Sequence, residues 1–302
     1  MPTPESPENL EARREALFEK LQLKEQYASQ FKVLGETGIL ETLPELQDLG
    51  VVGIDGKEYP LPSLKDVKER ISDTETIELM EKKAEQGYNK LLLVPFAMPF
   101  NILSECHKKF VQTKFELKEI TDGSGKLLDI PDGYNYYVDF PEVRQGDATG
   151  DFLYRPSGES RLEESEEERK KLFKTKGEMI EGGSVWEVHF FQDNAEIPQE
   201  DCTNGDLLSE TVSEYLEGMK NPQREGEKPL TPEAWVVFAM TKLQESGIQI
   251  DTVHASALLG ATFPKAQIPV GYYDPDDYEV AVTTASLLTK SGWQGFRNSV
   301  KL

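Results

Sequence analysis

Cysteine is nearly absent: Cys106 and Cys202 are the only two in 302 residues, and neither sits in a CxxC pair. A disulfide framework and a zinc cluster are therefore unsupported, and a reducing compartment is the expected setting. Long apolar runs are absent as well. LLLVPFAMPF at 91–100 is too short for the roughly 20 residues of a membrane span and holds two prolines, so no membrane insertion is expected. The opening MPTPESPENLEARRE is acidic and proline-rich and has no apolar segment of secretory type, which makes a cytoplasmic location the default expectation. Positive charge is scarce, with 33 Lys and Arg against 55 Asp and Glu and a formal net charge of −22. Such a surface repels phosphate backbones, so nucleic acid is not an expected partner. GxSxG, GxGxxG and P-loop motifs are missing, and no cofactor is expected.

Enough residues remain for one large or two ordinary domains with a real core. Residues 1–8 read as a disordered lead, 9–180 as a helix-rich N-terminal region, either separate or an elaboration of the C-terminal core, and 181–302 as a ligand-binding domain. Leu10, Leu17, Leu21 and Phe31 predict one helix from Glu8 to about Leu34. A short helical turn is expected over Ile39 to Leu43, and then a hairpin in which Asp55-Gly56 lies between Val51-Val52 and Tyr59. Ser63 and either Asp73 or Thr74 are placed to cap helices. KLLLVP at 90–95 reads as a buried strand, and Phe100 to Phe110 as a helix. The segments around 127–142 and 150–160 alternate aromatics with turn residues, as strands joined by loops do. The charge run 161–176 reads as a solvated helix. Ser184 to Gln192 alternates as a strand, Leu207 to Met219 has helical spacing, and Thr231-Pro232-Glu233 begins a helix that stops at Gly247.

The C-terminal stretch differs in kind. Leu258, Leu259, Ala261 and Phe263 on one side, and Phe296, Val300 and Leu302 on the other, read as buried strand residues around a surface-like insert. From Tyr272 to Trp293 the insert mixes Tyr, Asp, Thr, Ser and Val with no helical period. Tyr offers contact area at low entropic cost and short polar side chains offer hydrogen bonds, a composition suited to an exposed binding face. The bland reading is an ordinary hairpin with Tyr272, Tyr273 and Tyr278 half-buried. Asp274, Asp276 and Asp277, like the acidic turn at 193–206, lack the ligand spacing of an EF-hand loop, so no metal is expected.

Three short motifs carry a resemblance: Thr231-Pro232-Glu233-Ala234-Trp235, Ala257-Leu258-Leu259-Gly260, and Gly295-Phe296-Arg297-Asn298-Ser299-Val300. In their order they resemble the C-type lectin fold, and more narrowly the variable proteins of diversity-generating retroelements. The resemblance implies an α+β fold, two helices against a small, mostly antiparallel sheet, and a rigid scaffold displaying C-terminal side chains that a reverse transcriptase rewrites at template adenines. It implies no enzymatic activity and an unknown ligand, expected to be a protein or cell-surface molecule. Tyr272, Tyr273, Asp274, Asp276, Asp277, Tyr278, Val280, Val282, Thr283, Thr284, Ser286, Leu288 and Ser291 are outcomes that mutated AAC or AAT codons can give. Glu279, Lys290, Trp293 and Gln294 are not. Trp235, Gly260, Trp293, Gly295, Phe296 and Arg297 would be scaffold. Calcium-dependent sugar binding is disfavoured, since EPN, QPD and WND are absent. The oxidase branch of the fold is excluded by the lack of any cysteine after Cys202.

A different class stays open. In a chain this acidic, a glycosidase-type enzyme could place two carboxylates at a working separation that sequence does not reveal. His107, His189 and His254 are far apart in sequence, and His189 alternates with core residues of a strand, which suits a packed sheet residue better than a base.

Overall fold

A computed structural model describes residues 6–117, 119–128, 135–138, 152–154, 173–197, 212–262, 267–274, 279–286 and 294–302. Helix α1 (Pro7–Lys20) opens at Ser6, whose hydroxyl accepts from the Asn9 amide. Helix α2 (Leu23–Glu36) comes next, so the single helix expected to Leu34 is two. The break lies at Gln22, with φ of 48°. It lets Leu17, Phe18 and Leu21 before the bend and Leu23 after it all reach the core.

Strands β1 (Glu41–Leu43), β2 (Asp48–Val52) and β3 (Glu58–Pro60) form an antiparallel sheet, with Asp55-Gly56 at the second turn as its residues require. The helical turn expected over 39–43 is instead a strand, because Glu41 to Leu43 pairs with Asp48 to Gly50. Helix α3 (Leu64–Glu69) carries a Ser63/Asp66 capping box, and α4 (Thr74–Glu85) is capped by Asp73. Next come β4 (Tyr88–Val94), α5 (Phe100–Glu116), β5 (Asn135–Val138), β6 (Leu153–Tyr154) and β7 (Lys174–Thr175). Of the charge run, 161–172 lies outside the described residues, and Lys176 begins α6 (Lys176–Glu181).

The remainder is β8 (Glu187–Gln192), α7 (Val212–Gly218), β9 (Glu227–Pro229), α8 (Pro232–Ser246), β10 (Ala255–Ala257), β11 (Ala261–Thr262), β12 (Gln267–Asp274), β13 (Glu279–Ser286), β14 (Gln294–Phe296) and β15 (Asn298–Lys301). Two of the sheets position the C-terminal region. One runs β4-β8-β15-β9, antiparallel throughout; the other runs β14-β10-β12-β13-β5, with parallel pairing at both of its ends. Together with the helices they make a mixed α+β protein.

Helix α8 is the central element. Thr231 caps it, Pro232 opens it, and Gly247 closes it in the left-handed region at φ of 67°. Residues Pro232 to Leu243 are all buried, as expected of a helix enclosed on every side. Phe238 stacks on Phe191 of β8 at 5.0 Å, while Trp235 lies against Gly271 of β12, so α8 separates the two sheets. Residues before and after 180 share one core, running from Leu17 to Val300, and β4 pairs with β8 from Tyr88 to Val94. Among the described residues no helix is long and apolar enough to cross a membrane.

Candidate functional site

Strands β12 and β13 form an antiparallel hairpin in continuous register from Gln267 opposite Ser286 to Asp274 opposite Glu279. The stretch expected to be irregular is thus regular over 272–274 and 279–286. Val280, Val282, Thr283 and Thr284 suit a pleated, partly buried surface, which accounts for the difference. Strand alternation sends Ile268 and Val270 toward Tyr215, Leu216 and Phe296, with Tyr272 packed at the edge of that cluster. Tyr273, Val280 and Val282 point the other way, into the core that contains Trp235.

This burial corrects three of the expected binding residues. Tyr273 is 3% exposed, and Val280 and Val282 are fully enclosed, so none of them presents a side chain to a ligand. Tyr272, Asp274 and Thr283 are half-buried. Thr284 and Ser286 lie in β13 opposite Pro269 and Gln267. Asp276, Asp277, Tyr278, Leu288 and Ser291, and the scaffold candidate Trp293, lie outside the described residues.

Two of the other scaffold candidates, Trp235 and Arg297, meet at Asp251, a residue that the sequence did not single out. Asp251 adopts φ of 55°, and its carbonyl accepts the Tyr273 amide of β12 at 3.1 Å. Its carboxylate is fully engaged: Trp235 Nε1 donates to Oδ2 at 2.7 Å and Ser256 Oγ to the same oxygen at 2.5 Å. Arg297 donates to Oδ1 through Nε at 3.0 Å and Nη2 at 2.5 Å. Arg297 also donates through Nη1 to the Asn194 carbonyl at 2.9 Å and through Nη2 to the Ala195 carbonyl at 2.7 Å. A buried charge pair whose hydrogen-bonding capacity is this fully used holds one geometry, whereas an isolated buried charge would be costly. Gly271 permits the indole to approach, since a Cβ there would sit 2.6 Å from the Trp235 ring. Gly260 plays the same part against the Pro229 and Leu230 carbonyls, where a Cβ would come within 2.7 Å. Gly295 pairs with Ser256, and Phe296 stacks on Tyr215 at 4.0 Å. Asp251 carried no signal beyond one more acidic residue near a turn.

A second polar cluster lies under the start of α8. His189 Nδ1 meets Ser299 Oγ at 2.8 Å, and its Nε2 meets Glu187 Oε2 at 3.0 Å. Lys301 Nζ donates to Glu187 Oε1 at 2.5 Å. Burial alone would raise the Glu187 pKa, but the His189 hydrogen bond and the Lys301 ammonium outweigh it and hold the carboxyl at about 2. Burial lowers the His189 pKa, with Glu187 opposing. Close by, Glu233 Oε1 accepts from Tyr154 Oη at 2.6 Å and Lys176 Nζ at 2.8 Å, whereas its Oε2 has no partner among the described residues. Glu187 and Glu233 are the buried carboxylates that a glycosidase reading would look to first. An acid catalyst needs a raised pKa, and Glu187 is shifted in the opposite direction. The geometry instead cross-links β8 to β15. Among the described residues no group of three or more His, Cys, Asp or Glu could hold a metal ion.

No protein-family model, no curated protein and no solved structure matches this chain.

Proposed function

We propose that the chain is a ligand-binding scaffold of C-type-lectin type whose C-terminal hairpin carries the contact surface, and that a retroelement diversifies that surface. The clamp on Asp251 is the observation that carries this reading: it fixes β12 through the Tyr273 amide and so makes a stiff support for side chains near the hairpin end. The element order adds support. Among the described residues between β8 and β15, which pair antiparallel, run two α-helices, the second bearing Trp235, and then the strands that include the hairpin. The contact residues are Tyr272, Asp274 and Thr283 and, from the sequence, Asp276, Asp277, Tyr278, Leu288 and Ser291. Tyr273, Val280 and Val282 are left out because a residue inside the core must keep its size and polarity. The ligand is proposed to be a protein, since Tyr with short polar neighbours suits a broad, hydrogen-bonding interface.

Sequencing of the DNA flanking the gene tests the reading. A near-copy of the codons for about 270–300, differing only at adenines and lying beside a reverse-transcriptase reading frame, is expected. Flanking DNA without such a copy would remove diversification from the account.

A further inference from the structure

We propose that the β9 edge of the four-stranded sheet holds a small oxyanion, a carboxylate or phosphate group, between Lys228 and Lys301. Lys228 lies directly opposite Ser299 in the β9/β15 register, which puts the two side chains on one face and Lys301 diagonally across on the same face. That face also carries His189 and Glu187, and it is half open: β9 is the end strand of its sheet, Lys228 is half-buried and Lys301 is 27% exposed.

The charged groups around this face are committed elsewhere. Glu187 is committed to Lys301 and His189, and Glu233 to Lys176 and Tyr154. Glu227, next to Lys228 in sequence, faces the other side of the sheet, where it pairs with Lys83 at 2.6 Å and accepts from Asn298 at 3.2 Å. Lys228 is left with no hydrogen-bond or ion-pair partner among the described residues. On this face a half-buried ammonium lies near a second one, and the Glu187 carboxylate there is already bonded to Lys301 and His189. Burial, and then Lys301, lowers its pKa, so the cation is held where it is least favoured. An oxyanion between the two lysines would supply the absent counter-charge, accept from both ammonium groups, and stabilise the folded chain by mass action. Compact, strongly hydrated ammonium groups suit a monodentate phosphate or carboxylate oxygen better than a planar bidentate contact.

The test is lysine side-chain NMR on the full chain, titrated with sodium phosphate, with sodium acetate, and with sodium chloride at matched ionic strength. Saturable shifts of the Lys228 and Lys301 signals with phosphate, acetate or both, together with a raised Lys228 pKa, are expected; which salt acts tells phosphate from carboxylate. The exposed Lys65 should respond only as it does to chloride. In Lys228→Met, which removes no ion pair and leaves β15 intact, the Lys301 shift should disappear. Equal responses to all three salts, or a Lys301 shift that survives in Lys228→Met, would overturn the proposal.

Discussion

Asp251 joins α8, β10, β12 and the Arg297 turn through one carboxylate and one carbonyl, so its removal should propagate further than its size suggests. Asp251→Ala leaves the Arg297 guanidinium buried without its counter-charge, a change that costs about 3–5 kcal/mol. Urea unfolding would register it, and a loss below about 1 kcal/mol would mean that the clamp is not a keystone. Titration adds a second expectation. His107 is enclosed by the core, and burial holds its pKa at about 3 against about 6.5 in the unfolded chain. The unfolded state therefore binds more protons between those values. Stability is complete above about pH 6.5 and falls as pH drops toward 3, by at most about 1.4 kcal/mol per pH unit. His189, also lowered by burial, acts in the same sense. Glu187 adds stability present above its unfolded value and lost as pH falls toward about 2. Urea unfolding at pH 7, 6, 5 and 4 should give a shallower decline for His107→Leu than for the parent. An unchanged slope would show that His107 is protonated inside the fold.

At the scale of elements, the two faces of the hairpin should behave differently under substitution. Val280→Ser places a hydroxyl in an enclosed apolar site and leaves a void, at about 2–4 kcal/mol, while Thr283→Ser should stay within about 0.5 kcal/mol. Gly271→Ala would drive a methyl group into the Trp235 ring and cost about 1–3 kcal/mol, visible as a lowered melting temperature. What was legible in the sequence divides along the same line. Helix α8, its Thr231 cap and its Gly247 stop were legible because capping chemistry is local. The Asp55-Gly56 hairpin and β4 were legible for the same reason. The bend at Gln22, the pairing of Glu41 to Leu43, and the inward face of β12 and β13 were not. Each depends on which distant surface covers the segment, as α7 covers one face of the hairpin and α8 the other. Tyr273, Val280 and Val282 read as surface for that reason: alternation shows that a strand has two sides, not that both are covered.

At the scale of the molecule, strand β15 is held along both of its edges. Strand β15 lies inside its sheet between β8 and β9, with Lys301 bonded to Glu187, and Arg70 of the N-terminal region donates to the Leu302 carbonyl at 2.9 Å. A shared core and an interior final strand make the chain a stiff support, and the central claim is that this support tolerates change at the end of the hairpin but not beneath it. The most direct measurement is a pair of libraries displayed on phage. One is randomised at Tyr272, Asp274, Asp276, Asp277, Tyr278 and Thr283, the other at Tyr273, Val280 and Val282, and both are sorted for protease resistance and then for binding to a panel of proteins. The account predicts that most members of the first library stay folded and yield target-specific binders, while most members of the second are cleaved. Equal cleavage of the two libraries, or a folded first library with no binder to any target, would contradict it.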